Sequence, residues 1–374
     1  KPAMRLTFLI LLLTSAMGTF AQERFLFIGT YTGTGSKGIY VYKFNYNTGK
    51  AEQVSVTGEI ENPSYLAVSS NGRFVYAVTE SAGKTNSAVS AFSFDRKAGK
   101  LSLINTELTG GDNPCYVAVT KKNNYVFTAN YSGGSLTAFP VKPDGSLAPR
   151  SQLIQHEGKG TNPSRQEKPH VHSTIFSPKE DVLFSPDLGL DKVFAYSFNA
   201  SAPQPLQPAS VPFTETKPGS GPRHIDFHPT KPYVYLIEEL SGNVVAYKYN
   251  KSKLTSIQEI AAHPEEYKGT IGSADIHVSP DGKFLYASNR AAENTMAIFA
   301  IDQTTGRLTS KGFTSTLGKA PRNFVIDPSG KFLLVANQDS GNIVIFKRDL
   351  RTGLLEKTGD EINIPKPVCL KFLD

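Results

Sequence analysis

A short strand pattern returns seven times along these 374 residues, and no other feature of the chain constrains its fold as tightly. The units open at Asn62, Asn113, His170, Pro222, Ser273, Pro321 and Pro367, reading NPSY, NPCY, HVHS, PRHI, SADI, PRNF and PVCL. Successive openings lie 46 to 57 residues apart. Self-similarity at about 40–50 residues, with four short strands per unit, is the mark of a β-propeller. The unit from Ser273 shows the internal order. A strand over 274–278 meets the turn SPDG, a second runs over 283–289, a third over 295–301, and an edge strand starts at Arg307. Pro, Asp and Gly hold the tight turns and apolar residues fill the first three strands. The fourth is the most polar, as at 50–57, 254–259 and 308–313, which suits an outer edge facing solvent.

The seventh opening supplies one strand only, 367–373, while 25–30, 38–44 and 51–57 read as second, third and fourth strands with no first. The expected fold is therefore all-β. It is a seven-bladed β-propeller of four-stranded antiparallel blades, whose last blade is closed 1+3 by the N- and C-terminal segments. Each blade needs its neighbours to bury its faces, so residues 22–374 read as one domain although their length alone would suit two. The longest irregular stretches, 155–169 and 200–221, fall inside the ring.

Residues 4–21 (MRLTFLILLLTSAMGTFA) carry one Arg, an apolar run and small residues before Gln22. That is the pattern of a secretory leader, too short for a membrane span; Lys1, Pro2 and Ala3 precede it as an upstream remnant. An exported protein, periplasmic or secreted and free of the membrane once the leader is removed, is expected. The net charge is +7, or +5 without Lys1 and Arg5. The lysines are scattered through turns, not gathered on one face among aromatics, so nucleic-acid binding is not expected. Cys115 and Cys369 open strands two blades apart, farther than the about 7 Å between Cα atoms that a disulfide spans. Free, packed thiols are expected.

Antiparallel order places the start of a first strand and the end of the second at the same rim, beside the central channel. Second strands end at Thr30-Tyr31, Glu80, Asn130-Tyr131, Asp187, Glu238-Glu239, Asn289-Arg290 and Asn337-Gln338, while first strands start at Asn62, Asn113, His170 and His172, Arg223 and His224, Asp275, Arg322 and Asn323. The other rim reads SNG, PDG and PSG, plain turn chemistry. A cup rich in His, Arg, Glu and Asn needs partners or a ligand. Arg223, Arg290 and Arg322 suit carboxylate or phosphate oxygens. Glu80, Asp187 and Glu239 are counter-charges or bases, and His172 can carry a proton near neutrality. His170 and His172 share a strand face without third and fourth metal ligands, and crowded guanidinium groups disfavour a cation, so neither metal nor cofactor is expected. The GTGSKG segment at 33–38 is followed by a strand where a dinucleotide site needs a helix.

The segments NPSRQEKPHVHS (162–173), GPRHIDFHP (221–229), YASNR (286–290) and APRNF (320–324) resemble the lactonase seven-bladed β-propeller family. That family includes the bacterial propeller-type 6-phosphogluconolactonases and the fungal carboxy-cis,cis-muconate cyclase. The resemblance implies a catalytic group of one His, two Arg and one Glu, falling here on His172, Arg223, Arg290 and Glu239. Only one of the successive strand residues Glu238 and Glu239 faces the channel, and the match to the family's Glu-Leu-x-x-x-Val pattern favours Glu239. Arg165, His170, His224, Arg322, Asn323, Asn130, Glu80 and Asp187 are the expected substrate-binding residues.

The expected activity is hydrolysis of a sugar-acid lactone, with 6-phosphogluconolactone the substrate the resemblance implies. Water would be activated by Glu239 or His172, and arginines would hold a small anionic lactone or carboxylate. The alternatives are a lactonising cycloisomerase of the carboxymuconate type and an exported, non-enzymatic ligand-binding propeller. A monomer or weak homodimer is expected. A pentose-phosphate lactonase belongs in the cytosol, so export argues against that particular substrate more than against lactone chemistry.

Overall fold

A computed structural model of the chain describes residues 23–373, apart from Thr34 and Glu59. The expected leader at 4–21 lies outside the described residues. Twenty-eight strands, with no helix among the described residues, form seven four-stranded antiparallel sheets. The blades, numbered from Leu66, stand in chain order around an axis, each with its first strand innermost and its fourth at the rim. Second and third strands such as Tyr233–Glu238 and Asn342–Arg348 are mostly buried, because both faces of a blade meet a neighbour. Fourth strands such as Leu308–Ser315 are largely exposed.

The closing blade has the order expected from the sequence. Pro367–Phe372 is the inner strand, followed outward by Glu23–Thr30, Ile39–Asn45 and Ala51–Thr57. Ile28 faces Leu370 and Gly29 faces Cys369 across the seam. Gly29 cannot carry a side chain here, since a Cβ would lie 2.3 Å from the Pro63 carbonyl oxygen of blade 1.

Two expectations fail in blade 3. Its inner strand does not run from His170; it shrinks to Ile175–Phe176, with one isolated bridge between Val171 and Asp187. The Asp187 side chain replaces ladder bonds there, accepting from the His170 and Gly189 amides at 2.8 and 3.0 Å. Residues 200–221 are not irregular either, because Leu206–Glu215 is the ten-residue fourth strand of this blade. The stretch 155–169 is irregular but pinned. Fully buried Gln166 accepts from Asn162 N (2.9 Å) and donates to Leu188 O (2.9 Å) and Asp191 (2.7 Å).

The inner strands form layers along the axis. Two residues after the openings at 62, 113 and 170, and one after those at 222, 273, 321 and 367, come Ser64, Cys115, His172, Arg223, Ala274, Arg322 and Val368; one step further come Tyr65, Tyr116, Ser173, His224, Asp275, Asn323 and Cys369. The second layer plugs the channel. Tyr65 stacks on Tyr116 with centroids 4.0 Å apart, and His224 stands edge-on to Tyr116 at 5.5 Å. His224 Nδ1 lies 2.8 Å from Asp275, whose other oxygen takes Asn323 Nδ2 and His277 Nε2 at 2.5 and 3.0 Å. Both cysteines are free and buried, as expected, but they sit in different layers.

Candidate active site

Second strands end in pairs of residues, and alternation gives the two members opposite duties. The first member points between strands and is consumed there. Asn130 Nδ2 donates to Ser135 and Thr137 hydroxyls, both at 3.0 Å, and Asn337 Nδ2 donates to Thr316 O at 3.0 Å. Asp187 is buried against His156 Nδ1 at 2.7 Å, and Glu238 takes the Ser241 hydroxyl at 2.7 Å. The second member faces the channel mouth: Tyr31, Glu80, Tyr131, Glu239 and Arg290 all line one cavity of about 220 Å³. Arg165, Cys115, His172 and Arg322 complete its wall. Asn130 and Asp187, expected in the cup, are thus structural residues one position too early.

Glu239 is the electrostatic centre. Its Oε1 lies 2.5 Å from Arg165 Nη2, and its Oε2 lies 2.8 Å from Arg223 Nε and 3.0 Å from Arg290 Nη2. The carboxylate is buried, which would raise its pKa, but Arg290, Arg223 and Arg165 outweigh burial and hold it well below the usual carboxylate range. The arginines have further anchors. Arg223 Nη1 donates to Ala274 O at 2.5 Å, and Arg290 donates to Gly272 O and Ser273 O at 3.0 and 3.2 Å. Pinned Gln166 fixes the segment that brings Arg165 over the cup.

His172 is buried among rings, edge-on to Tyr131 at 5.3 Å and His224 at 5.1 Å. Burial first, then the charges of Arg223, His224 and Arg322, drive its pKa well below the ordinary imidazole value, so it is neutral at pH 7. Its Nδ1 lies 3.7 Å from the Cys115 thiol. That thiol is pushed up by burial and by Glu80, so it is no thiolate. His170 does not line the cavity. It stacks on Tyr131 at 4.5 Å and meets Glu167 at 3.1 Å, backing the wall from behind. His224 and Asn323 belong to the plug below. Of the twelve residues expected at the site, seven line or directly floor the cup: His172, Glu239, Arg223, Arg290, Arg165, Arg322 and Glu80.

The family signature described as lactonase, 7-bladed β-propeller matches residues 25–372. The chain belongs to that lactonase family. A 6-phosphogluconolactonase of Bacillus subtilis is 37% identical over 349 residues, covering 93% of this chain and 97% of the relative. One from Formosa agariphila is 41% identical over 342 residues, covering 90% and 96%. Among solved structures, the periplasmic gluconolactonase of Pseudomonas aeruginosa superposes with a TM-score of 0.89 at 36% identity, covering 94% of this chain and 99% of that one.

In this lactonase-family propeller, a larger cavity of about 420 Å³ opens near the opposite mouth. Its lining is mainly Leu, Ala, Val and Ser, and its charged group Lys371 rests over the Tyr65 ring at 4.6 Å. Convergent titratable groups, not volume, single out the smaller cup. The cup residues missing from the expected set are Tyr31, Tyr131 and Cys115. The strand-end rule names both tyrosines without choosing them as site residues, and Cys115 shares the floor layer with His172 and Arg223.

Proposed function

We propose that the protein hydrolyses a sugar-acid lactone in this cup, with His172 as the base. The observation that carries the reading is a neutral imidazole beside a carboxylate bound by three guanidinium groups, in a chain of the lactonase family. Glu239, with both oxygens engaged and its pKa held low, suits the role of anchor for Arg165, Arg223 and Arg290 better than that of base. His172 takes a proton from water as the hydroxide oxygen bonds to the lactone carbonyl carbon. The ring C–O bond then breaks, and the leaving ring oxygen recovers that proton as a hydroxyl. The excess positive charge of the arginines over Glu239 steadies the intervening oxyanion. The relatives named gluconolactonase and 6-phosphogluconolactonase support a gluconolactone-type ring as substrate.

Acid release from gluconolactone and 6-phosphogluconolactone, followed in a pH-stat with the purified protein, tests this directly. Release of acid well above the spontaneous rate is expected, with little loss after exhaustive EDTA treatment because guanidinium groups crowd the site. Binding without turnover would leave a ligand-binding propeller, and activity restored only by added Ca²⁺, Zn²⁺ or Mg²⁺ would overturn the metal-free chemistry.

Export to the periplasm is part of the proposal. Its support is the leader pattern at 4–21 and the periplasmic relative from Pseudomonas aeruginosa. No helix among the described residues is long and apolar enough to cross a membrane. Cell fractionation is expected to place the protein, shortened by its leader, with periplasmic markers; a full-length cytosolic protein would refute export.

A further inference from the structure

The cup is electrically divided. On the side of blades 3 to 5, Arg165, Arg223 and Arg290 are spent on Glu239 and on backbone carbonyls. Across the ring, the wall is built by Tyr31 of blade 7, Glu80 of blade 1 and Arg322 of blade 6. The Tyr31 hydroxyl donates to Glu80 Oε2 at 2.9 Å, and the Arg322 guanidinium carbon lies 5.6 Å from the Tyr31 ring centroid. The Tyr31 ring lies against the Arg322 head group. Among the described residues, Arg322 makes neither a hydrogen bond nor an ion pair. It is the cup's one arginine with its whole donor fork unspent.

We propose that Arg322 is the specificity-determining residue of the cup, and that it receives a carboxylate or phosphate on the part of the substrate remote from the reacting carbonyl. The proposal rests on the lactonase reading for the position of that carbonyl. A guanidinium with an open fork binds either oxyanion in a bidentate manner. Its ring partner supports it without using a donor. Glu80 beside it repels a second negative group and accepts from substrate hydroxyls. The chemical class is thus a polyhydroxy lactone with a single acidic group, small enough for a cavity of about 220 Å³. Of the three arginines the sequence suits to an anion, Arg290 has its Nε and Nη2 committed to Gly272 O, Ser273 O and Glu239.

The test compares kcat/KM for gluconolactone, 6-phosphogluconolactone and glucarolactone in wild type, Arg322→Gln and Arg290→Gln. In Arg322→Gln the preference for the charged rings over the uncharged one falls about 10²-fold, mainly through KM, the scale of a lost charge-assisted pair. In Arg290→Gln all three substrates fall together. Equal losses on charged and uncharged rings in Arg322→Gln overturn the proposal while leaving lactone hydrolysis intact. Calorimetric binding of 6-phosphogluconate and glucarate supplies a readout independent of turnover, and the tighter acid tells phosphate from carboxylate. If no lactone is hydrolysed yet both acids lose affinity in Arg322→Gln, the anion site stands and the lactonase reading falls. Unchanged affinity overturns the site whatever the turnover. Arg322→Lys, which keeps the charge without the fork, is expected to retain a preference weakened about tenfold. It serves in place of a glutamine variant that does not fold, and an unaltered preference there counts against the proposal equally.

Discussion

Replacing His172 by asparagine lowers kcat for lactone hydrolysis by about 10²–10⁴-fold, the usual scale for a lost general acid–base group. Asparagine is polar and smaller than imidazole, so a folded variant retains the cup while losing the group that takes the proton. Because burial and neighbouring cations depress the His172 pKa, the acid limb of the wild-type rate profile lies below pH 6.5 and activity is flat through neutrality. Circular dichroism and a thermal scan confirm folding of the variant, and the pH–rate profile shows whether that limb has gone. Wild-type turnover in folded His172→Asn would transfer the role of base to Glu80. Glu239→Gln is expected to fail differently. It leaves three guanidinium groups short of their counter-charge, and breaking such a buried cluster costs about 3–5 kcal/mol of stability before any effect on chemistry is read.

Removal of residues 367–374 abolishes the cooperative thermal transition. The segment is the inner strand of the closing blade, pairs with Leu26–Thr30, and buries Val368, Leu370 and Leu373 almost completely. Burying such side chains contributes about 1.5–3 kcal/mol each, against a typical total stability of about 5–15 kcal/mol. The loss also exposes the inner faces of blades 6 and 1, whose first strands pack on this one. A truncated protein with an unchanged melting curve would show that the ring does not depend on this seam.

The fold was legible because a propeller writes its period into the chain. Openings recurring every 46 to 57 residues, and an orphan strand at 367–373 matched by three at the other end, leave little choice of topology. Blade 3 resisted because a side chain, Asp187, does the work of a strand, and no periodicity reports that. The cup was legible to within one residue. Strand ends place a residue at the right rim, but only alternation tells Asn130 from Tyr131, and the strand boundary must be known for alternation to be applied. His224 and Asn323 were displaced for a related reason. They occupy the step below the cup floor, and depth along a channel cannot be read from the order of residues. The coupling of Glu239 to Arg165 was invisible for another cause, since 74 positions separate them and an irregular segment brings them together.

The division of labour at the second-strand ends has an evolutionary consequence. Five of the seven blades offer one address within the sheet and, immediately after it, one that faces the channel mouth. A substitution at the outward address of any single blade can therefore alter what the mouth accepts while the neighbouring residue goes on holding the sheet. Five such addresses around one ring give a lineage several independent ways to exchange one substrate for another on an unchanged scaffold.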